Sequence, residues 1–255
     1  MRINHNITAL NTHRNMGLNN AAAGKSMEKL SSGLRINRAA DDAAGLAVSE
    51  KMRGQIRGLE MAQRNVQDGI SFVQTAEGAM NEVSSMLTRM KELNVQKSTG
   101  TYSTGDKANI DVELGELGKQ ITAIMKDTKF NGMAITGGAT IQSDDAAQKI
   151  AIGSIAVASF NALTSASTLG QVETAIEAVS TERAKLGAVQ NRLEYTSNNL
   201  GTTVENLTAS ESRIRDTDMA SEMVKLTKDN ILLQASQAML AQANSQPQGV
   251  LSLLR

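Results

Sequence analysis

Three groups of residues in this 255-residue sequence have types and spacings that could do chemistry. Gly24-Lys25-Ser26 has the ending of a phosphate-cradling loop, in which glycine lets backbone N–H groups approach the anion and lysine reaches it. That motif also needs glycine five positions before Gly24, where Asn19 stands, and a preceding strand where the pattern here is helical. His5 and His13 are the two histidines, eight residues apart, and no carboxylate lies at hydrogen-bonding spacing to make a general base or a metal pair. Asp41-Asp42 is an adjacent carboxylate pair, yet neighbouring residues point to different faces of a helix, and capping with Arg35 and Arg38 nearby accounts for them. No catalytic, cofactor-binding or metal-binding residue is therefore assigned, and the chain reads as a non-enzyme.

Composition narrows the field further. There is no Cys, so disulfides, thiolate metal sites and cysteine nucleophiles are excluded. Twenty-six basic and 26 acidic residues give zero net charge, which supplies no long-range attraction to nucleic acid or anionic lipid. The charge is uneven, since residues 1–40 carry six basic side chains against one acidic. Two Tyr, three Phe and no Trp leave few of the rigid side chains that line ligand pockets, and one Pro leaves little to break a helix. No apolar run follows the first residues, so no secretory signal peptide is expected. The 24 residues Ile231 to Leu254 carry no charge, but ten of them are Gln, Asn, Ser or Pro, too many for a membrane span. Without Lys or Glu on any face, that segment reads as a helix buried against other protein.

The elements that organise these residues are long helices. Met52, Leu59, Val66, Val73, Met80 and Leu87 form a seven-residue comb, with Ala62, Ala76, Val83 and Met90 three residues after comb positions. Asp41 and Asp42 suit its N-terminus, and Gly100 and Gly105 are the next turn signals. Val172, Val179, Leu186, Leu193, Leu200, Leu207 and Ile214 form a second comb, predicting a partner helix. Between them Ile110, Leu114, Leu117, Ile121 and Ile124 predict a shorter amphipathic helix begun by Ser103, Thr104 or Asp106. The methionines Met52, Met80, Met90 and Met219 lie on apolar stripes, and core filling is their expected role.

From about 130 to 160 the period changes. Asn131-Gly132 and Gly137-Gly138 are turn signals, and Ile150, Ile152, Ile155 and Val157 sit in strand-like order, which predicts a small β-hairpin region. Thr140 to Gln148 is polar and reads as its exposed connection. At the ends, Ile3, Ile7 and Leu10 open one apolar stripe, and Met219, Met223, Leu226, Leu233 and Leu240 form another. Val224, Ile231 and Ala238 lie about a third of a turn away, with Leu232 nearly opposite, so the last helix needs several neighbours. The expected fold class is mostly α: an elongated bundle of long heptad-patterned helices with a small β-hairpin region.

The runs Leu30-Ser31-Ser32-Gly33-Leu34-Arg35-Ile36-Asn37, Ala39 to Gly45 and Asn65 to Ser71, together with Leu240-Ala241-Gln242-Ala243-Asn244 and the closing Pro247-Gln248 and Val250 to Arg255, closely resemble bacterial flagellin. The resemblance covers about residues 1–135 and 170–255. It implies a subunit of an extracellular flagellar filament, exported without a cleaved signal through the flagellar type III apparatus with a chaperone. Its partners would be copies of itself, with hook-associated and cap proteins. The implied layout pairs the terminal helices, 1–33 and 219–255, as a coiled coil forming an inner tube, with 34–218 as a rod domain and no large outer domain. Assembly then falls to Ile3, Ile7, Leu10, Met223, Leu226, Leu233, Leu240, Leu251 and Leu254. A hook–filament junction protein shares the terminal architecture, and a cytosolic helical signalling scaffold would explain the heptads alone.

A narrower resemblance lies in Leu87 to Gln96, which looks like the flagellin segment read by Toll-like receptor 5. It places receptor contacts at Arg89, Leu93 and Glu113, while Met90, Lys91 and Asn94 depart from the commonest recognised pattern. Arg89 as a solvated or inter-subunit charge is the alternative.

Overall fold

A computed structural model describes residues 6–146, 148–155, 163–164 and 166–253. The helices are α1 (Ile7–Ser32), α2 (Ala43–Ser98), α3 (Thr104–Asp127), α4 (Leu169–Arg215) and α5 (Met219–Leu253). Four short strands stand between α3 and α4: β1 (Lys129–Phe130), β2 (Met133–Ala134), β3 (Ala139–Gln142) and β4 (Lys149–Ile152). The chain packs as two compact units, Met1–Gly54 with Leu207–Arg255, and Gln55–Asn206.

In the unit Gln55–Asn206 both combs are the core. Leu59, Val66, Val73, Met80 and Leu87 of α2 are buried, as are Val172, Val179, Leu186, Leu193 and Leu200 of α4. Helix α3 joins them through Ile110, Leu114, Ile121 and Met125. It begins at Ser103, whose hydroxyl accepts from the Asp106 N–H while the Asp106 carboxylate accepts from the Ser103 N–H, a reciprocal capping box. The Ser103 hydroxyl lies 2.7 Å from the Asp106 carboxylate, and donation from it first, then from the Ser103 N–H, holds that carboxyl below its ordinary value. The phase of α3 differs slightly from expectation: Leu117 and Ile124 are half-buried, and Gly118 and Met125 take the inner positions. The cause is a distant stretch of backbone, because a Cβ on Gly118 would lie 2.4 Å from the Leu163 carbonyl oxygen, so only glycine admits that approach.

The strands form two antiparallel hairpins. β1 and β2 turn at Asn131 (φ 48°) and Gly132 (φ 79°), the left-handed pair a two-residue hairpin requires. Phe130 meets Phe72 of α2 edge to face, with ring centroids 5.9 Å apart. β3 pairs with β4, setting Ile141 opposite Ile150. This corrects the reading of Thr140 to Gln148 as an exposed connection. Residues Thr140, Ile141 and Gln142 belong to β3, Ile141 is buried, and the connection is only Ser143 to Gln148. A Cβ on Gly69 of α2 would lie 1.9 Å from the Ile141 Cδ1 atom, so β3 seats its buried isoleucine on a glycine. Ser143 is itself buried, and both its N–H and its hydroxyl donate to the Gln148 carbonyl, at 3.0 and 3.1 Å. Val157 lies outside the described residues.

In the unit Met1–Gly54 with Leu207–Arg255, α1 and α5 pair. The Asn6 amide donates to the Ala243 carbonyl (2.7 Å), Asn19 to the Ser236 hydroxyl (3.3 Å), and Ser26 to Glu222 (2.8 Å). Partners fall in number on α5 as they rise on α1, so the pair is antiparallel. Asn6 caps the start of α1, and Gly33 ends it in the left-handed conformation (φ 72°) with its N–H on the Lys29 carbonyl. Leu34 then bridges to Asp216, and the Arg35 guanidinium donates twice to the Ile214 carbonyl, at 3.2 and 2.8 Å. Asp42 accepts from the Gly45 N–H (2.8 Å) at the start of α2, and Asp41 accepts from the Asn37 and Arg38 N–H groups, so both carboxylates act in turns and caps. Ser49 and Arg215 add bonds to Glu211 and Glu50, at 2.9 and 2.7 Å. These contacts bind 34–54 to 207–216, and the compact units divide at Gly54 and Leu207.

Candidate functional site

The α1–α5 pair has little interior of its own. Among its described side chains only Ala23, Ser26, Glu222 and Ala243 are buried. Leu226, Leu233 and Leu240, at heptad spacing, form the half-covered seam facing α1. The remaining apolar residues stand in the open: Ile7, Leu10, Leu18 and Met27 on α1, and Met219, Met223, Val224, Ile231, Leu232 and Met239 on α5, with Leu10 at 74% exposure the extreme. Two antiparallel helices can close one seam, so every further apolar stripe is left without a partner inside this unit. Met223, Val224, Thr227, Lys228, Ile231 and Leu232 line an open groove of about 450 Å³ on α5.

Of the assembly residues expected from sequence, the structure places Ile7, Leu10 and Met223 on exposed faces and Leu226, Leu233 and Leu240 in the seam. Ile3, Leu254 and the Leu251 side chain lie outside the described residues. Met80 and Met90 fill the core and Met52 is half-buried, whereas Met219 is exposed and does not. It belongs to the open stripe of α5, where no helix of its own unit covers it.

One polar pair in the seam was not anticipated. Glu222 is 5% exposed; it accepts from the Ser26 hydroxyl at 2.8 Å and from the Lys225 ammonium at 2.9 Å. Lys225 first, and Ser26 with it, hold the Glu222 carboxyl below its ordinary value of 4.5 against the upward push of burial. A signal existed in the sequence, because Glu222 interrupts the apolar face that carries Met219, Met223 and Leu226. Ser26, read there for its resemblance to a phosphate loop, lies inside α1, so Gly24-Lys25-Ser26 forms no loop at all.

On the other unit, the Arg89 guanidinium donates to Glu113 (3.1 Å) and Glu92 (3.2 Å), and these carboxylates raise its pKa further. Arg89 and Glu113 are both about half exposed. Leu93, expected with them as a receptor contact, is 2% exposed, and Met90 and Leu87 on the same helix are fully buried. His13 is exposed on α1, and His5 lies outside the described residues. Among the described residues no group of His, Asp or Glu could hold a metal ion, and no helix is long and apolar enough to cross a membrane.

Residues 3–140 match the bacterial flagellin N-terminal helical region, and residues 169–254 match the bacterial flagellin C-terminal helical region. The chain is 52% identical to flagellin of Bacillus subtilis (strain 168) and 44% identical to the flagellar filament 33 kDa core protein of Treponema phagedenis, in each case over the whole of both chains. The crystal structure of Bacillus cereus flagellin overlays 58% of this chain and 94% of its own, with a TM-score of 0.49 and 28% identity. Two matched helical regions, and identity that runs end to end, leave one conclusion: the chain belongs to the bacterial flagellin family, whose members are structural proteins and not enzymes.

Proposed function

We propose that this chain is the repeating subunit of an extracellular flagellar filament, and that the apolar surface open on α1 and α5 is where successive copies bind. One observation carries the reading: ten large apolar side chains of the terminal pair stand exposed while the unit Gln55–Asn206 buries its combs completely. A soluble monomer rarely leaves so much contiguous apolar surface wet, and covering it returns roughly 25 cal/mol for each Å². A second copy offers the same kind of surface in return, which a helical polymer requires. The terminal motifs support the finer parts of the reading, namely export by the flagellar type III apparatus with a chaperone, and hook-associated and cap proteins at the filament ends. The hook–filament junction and signalling-scaffold readings draw no support from the relatives.

Electron microscopy of the purified protein tests the main claim, which expects long filaments of one protein. Val224→Asp or Ile231→Asp, both on the open face, should abolish them, since an unpaired charge in a dry contact costs several kcal/mol and recurs in every subunit. Normal filaments from either variant would refute the assignment. The resemblance around Arg89 supports recognition of the free subunit by Toll-like receptor 5 through Arg89 and Glu113, with Leu93 holding the helix from beneath. Arg89→Ala should then weaken receptor binding by the monomer, and unchanged affinity would defeat that part.

A further inference from the structure

The terminal pair is unusual in the chemistry of its open surface as well as its extent. Met80, Met90 and Met125 are fully buried in the unit Gln55–Asn206, but Met27, Met219, Met223 and Met239 are all exposed on α1 and α5. Methionine is the only one of the exposed apolar side chains there that a mild oxidant can make polar. Two of the four have a defined place: Met27 follows Ser26 and Met223 follows Glu222, so both flank the buried hydrogen bond that fixes the register of the pair.

We infer that these four methionines form a redox-sensitive modification site, at which a hydroperoxide converts exposed thioethers to sulfoxides and so excludes the subunit from assembly. This rests on the assembly role proposed for α1 and α5. In the reaction the sulfur lone pair attacks the distal peroxide oxygen, the O–O bond breaks, an S–O bond forms, and with hydrogen peroxide the other oxygen leaves as water after proton transfer. Sulfur loses two electrons and the peroxide gains them. The product carries a strongly polar S–O group on a face that must become dry against a neighbouring copy, and desolvating it there costs free energy. Incorporation reverses the exposure, because a copy that covers the stripe also covers its sulfur atoms. The site thus distinguishes free from assembled subunits. Reduction by a methionine sulfoxide reductase, with a dithiol oxidised to a disulfide and water released, restores competence.

The test uses the purified full chain, hydrogen peroxide as the probe, seeded polymerisation and mass spectrometry of peptides. Sulfoxide is expected at Met27, Met219, Met223 and Met239 in the monomer and not in the filament, and the critical concentration of the oxidised monomer should rise at least about tenfold. Treatment with reductases for both sulfoxide epimers and dithiothreitol should bring it back. A variant carrying M27L, M219L, M223L and M239L should keep its assembly after peroxide, whereas one carrying M61L and M133L, the exposed methionines of the other unit, should remain sensitive. Unimpaired assembly of monomer bearing the four sulfoxides would overturn the inference, as would insensitivity of the M61L/M133L variant. Should the fourfold leucine variant not assemble, recovery by the reductases still decides between sulfoxidation and other damage. Failure of the untreated chain to polymerise would instead refute the assembly role itself.

Discussion

The buried contact between Ser26 and Glu222 gives the sharpest test of how the terminal helices pair. Glu222→Ala removes the acceptor of the Ser26 hydroxyl in a seam where both residues are 5% exposed. A buried donor left without a partner costs about 1–3 kcal/mol, more when the lost acceptor was charged. Ser26 can rotate onto the carbonyl four residues back, as serines in helices do, which holds the net cost near 1.5 kcal/mol. Because every added subunit must order this pair, the penalty enters the elongation equilibrium once per subunit, and the critical concentration should rise about tenfold. Glu222→Gln keeps an acceptor of the same shape and loses mainly the attraction of Lys225, whose side chain is 60% exposed, so its shift should stay within about threefold. Sedimentation of filaments against free subunit measures both. The pH dependence follows the depressed Glu222 value: stabilisation by the carboxylate is complete above its ordinary 4.5 and is lost as pH falls through its lower value in the paired state. The advantage of the native chain over Glu222→Gln should therefore shrink below that pH. Equal shifts for the two variants, or strictly additive effects of Ser26→Ala and Glu222→Ala, would refute the reasoning.

Leu193→Ala should destabilise the unit Gln55–Asn206 by about 3 kcal/mol, lowering its melting temperature by roughly 10 °C, because Leu193 is fully buried on the α4 comb. Tyr195→Ala, two residues on and highly exposed, should change it by no more than about 0.5 kcal/mol, and comparable losses would mean that the comb is not the core. Gly69→Ala drives a methyl against Ile141 and should cost about 1–3 kcal/mol, part of which Ile141→Val recovers by removing the clashing Cδ1 atom. Additive losses in that double variant, measured by thermal denaturation, would contradict the close approach. A short Gly/Ser insertion after Ala146 should leave filaments and melting temperature unchanged, while the same insertion between Ile141 and Gln142 should lower the melting temperature by breaking the Ile141–Ile150 register.

The combs were legible because each position of a long helix repeats its environment, so seven consecutive hits over Val172 to Ile214 leave no other phase. The burial they imply is complete through Leu200 and only partial at Leu207 and Ile214, where the other compact unit begins. Helix α3 shows where that logic ends: a glycine carries no hydropathy, and the choice of Gly118 over Leu117 as the inner position depends on the backbone of Leu163, 45 residues further on. β3 was illegible for a similar reason. Its inward face offers one large apolar residue, Ile141, between Ala139 and Ser143, too short an alternation to separate from a polar loop. The turn at Asn131-Gly132 was legible because its chemistry is local. Leu93 lay outside the comb and its three-residue echo, so its burial came from a third inward row that a two-row heptad template leaves out.

The apolar residues of the terminal helices pose a different problem from those of the combs. On α4 the comb residues from Val172 to Leu200 are buried within their own unit, so their burial is decided within one chain and does not depend on concentration. On α5 only the row Leu226, Leu233, Leu240 has a partner in α1, while Ile231, Leu232 and Met239 look elsewhere. A segment from Ile231 onward without one charge would be a poor solvent-facing helix, and a poor monomer surface for the same reason. In the proposed filament its missing stabilisation comes from other copies, and then it scales as the logarithm of subunit concentration over the dissociation constant. The melting of α1 and α5 should accordingly move upward as subunits are concentrated and seeded. That of the unit Gln55–Asn206, whose core is complete in one chain, should move far less. Hydrogen exchange read separately on the two regions supplies the measurement. Equal protection of both in the dilute subunit would mean that α1 and α5 hold each other without further partners.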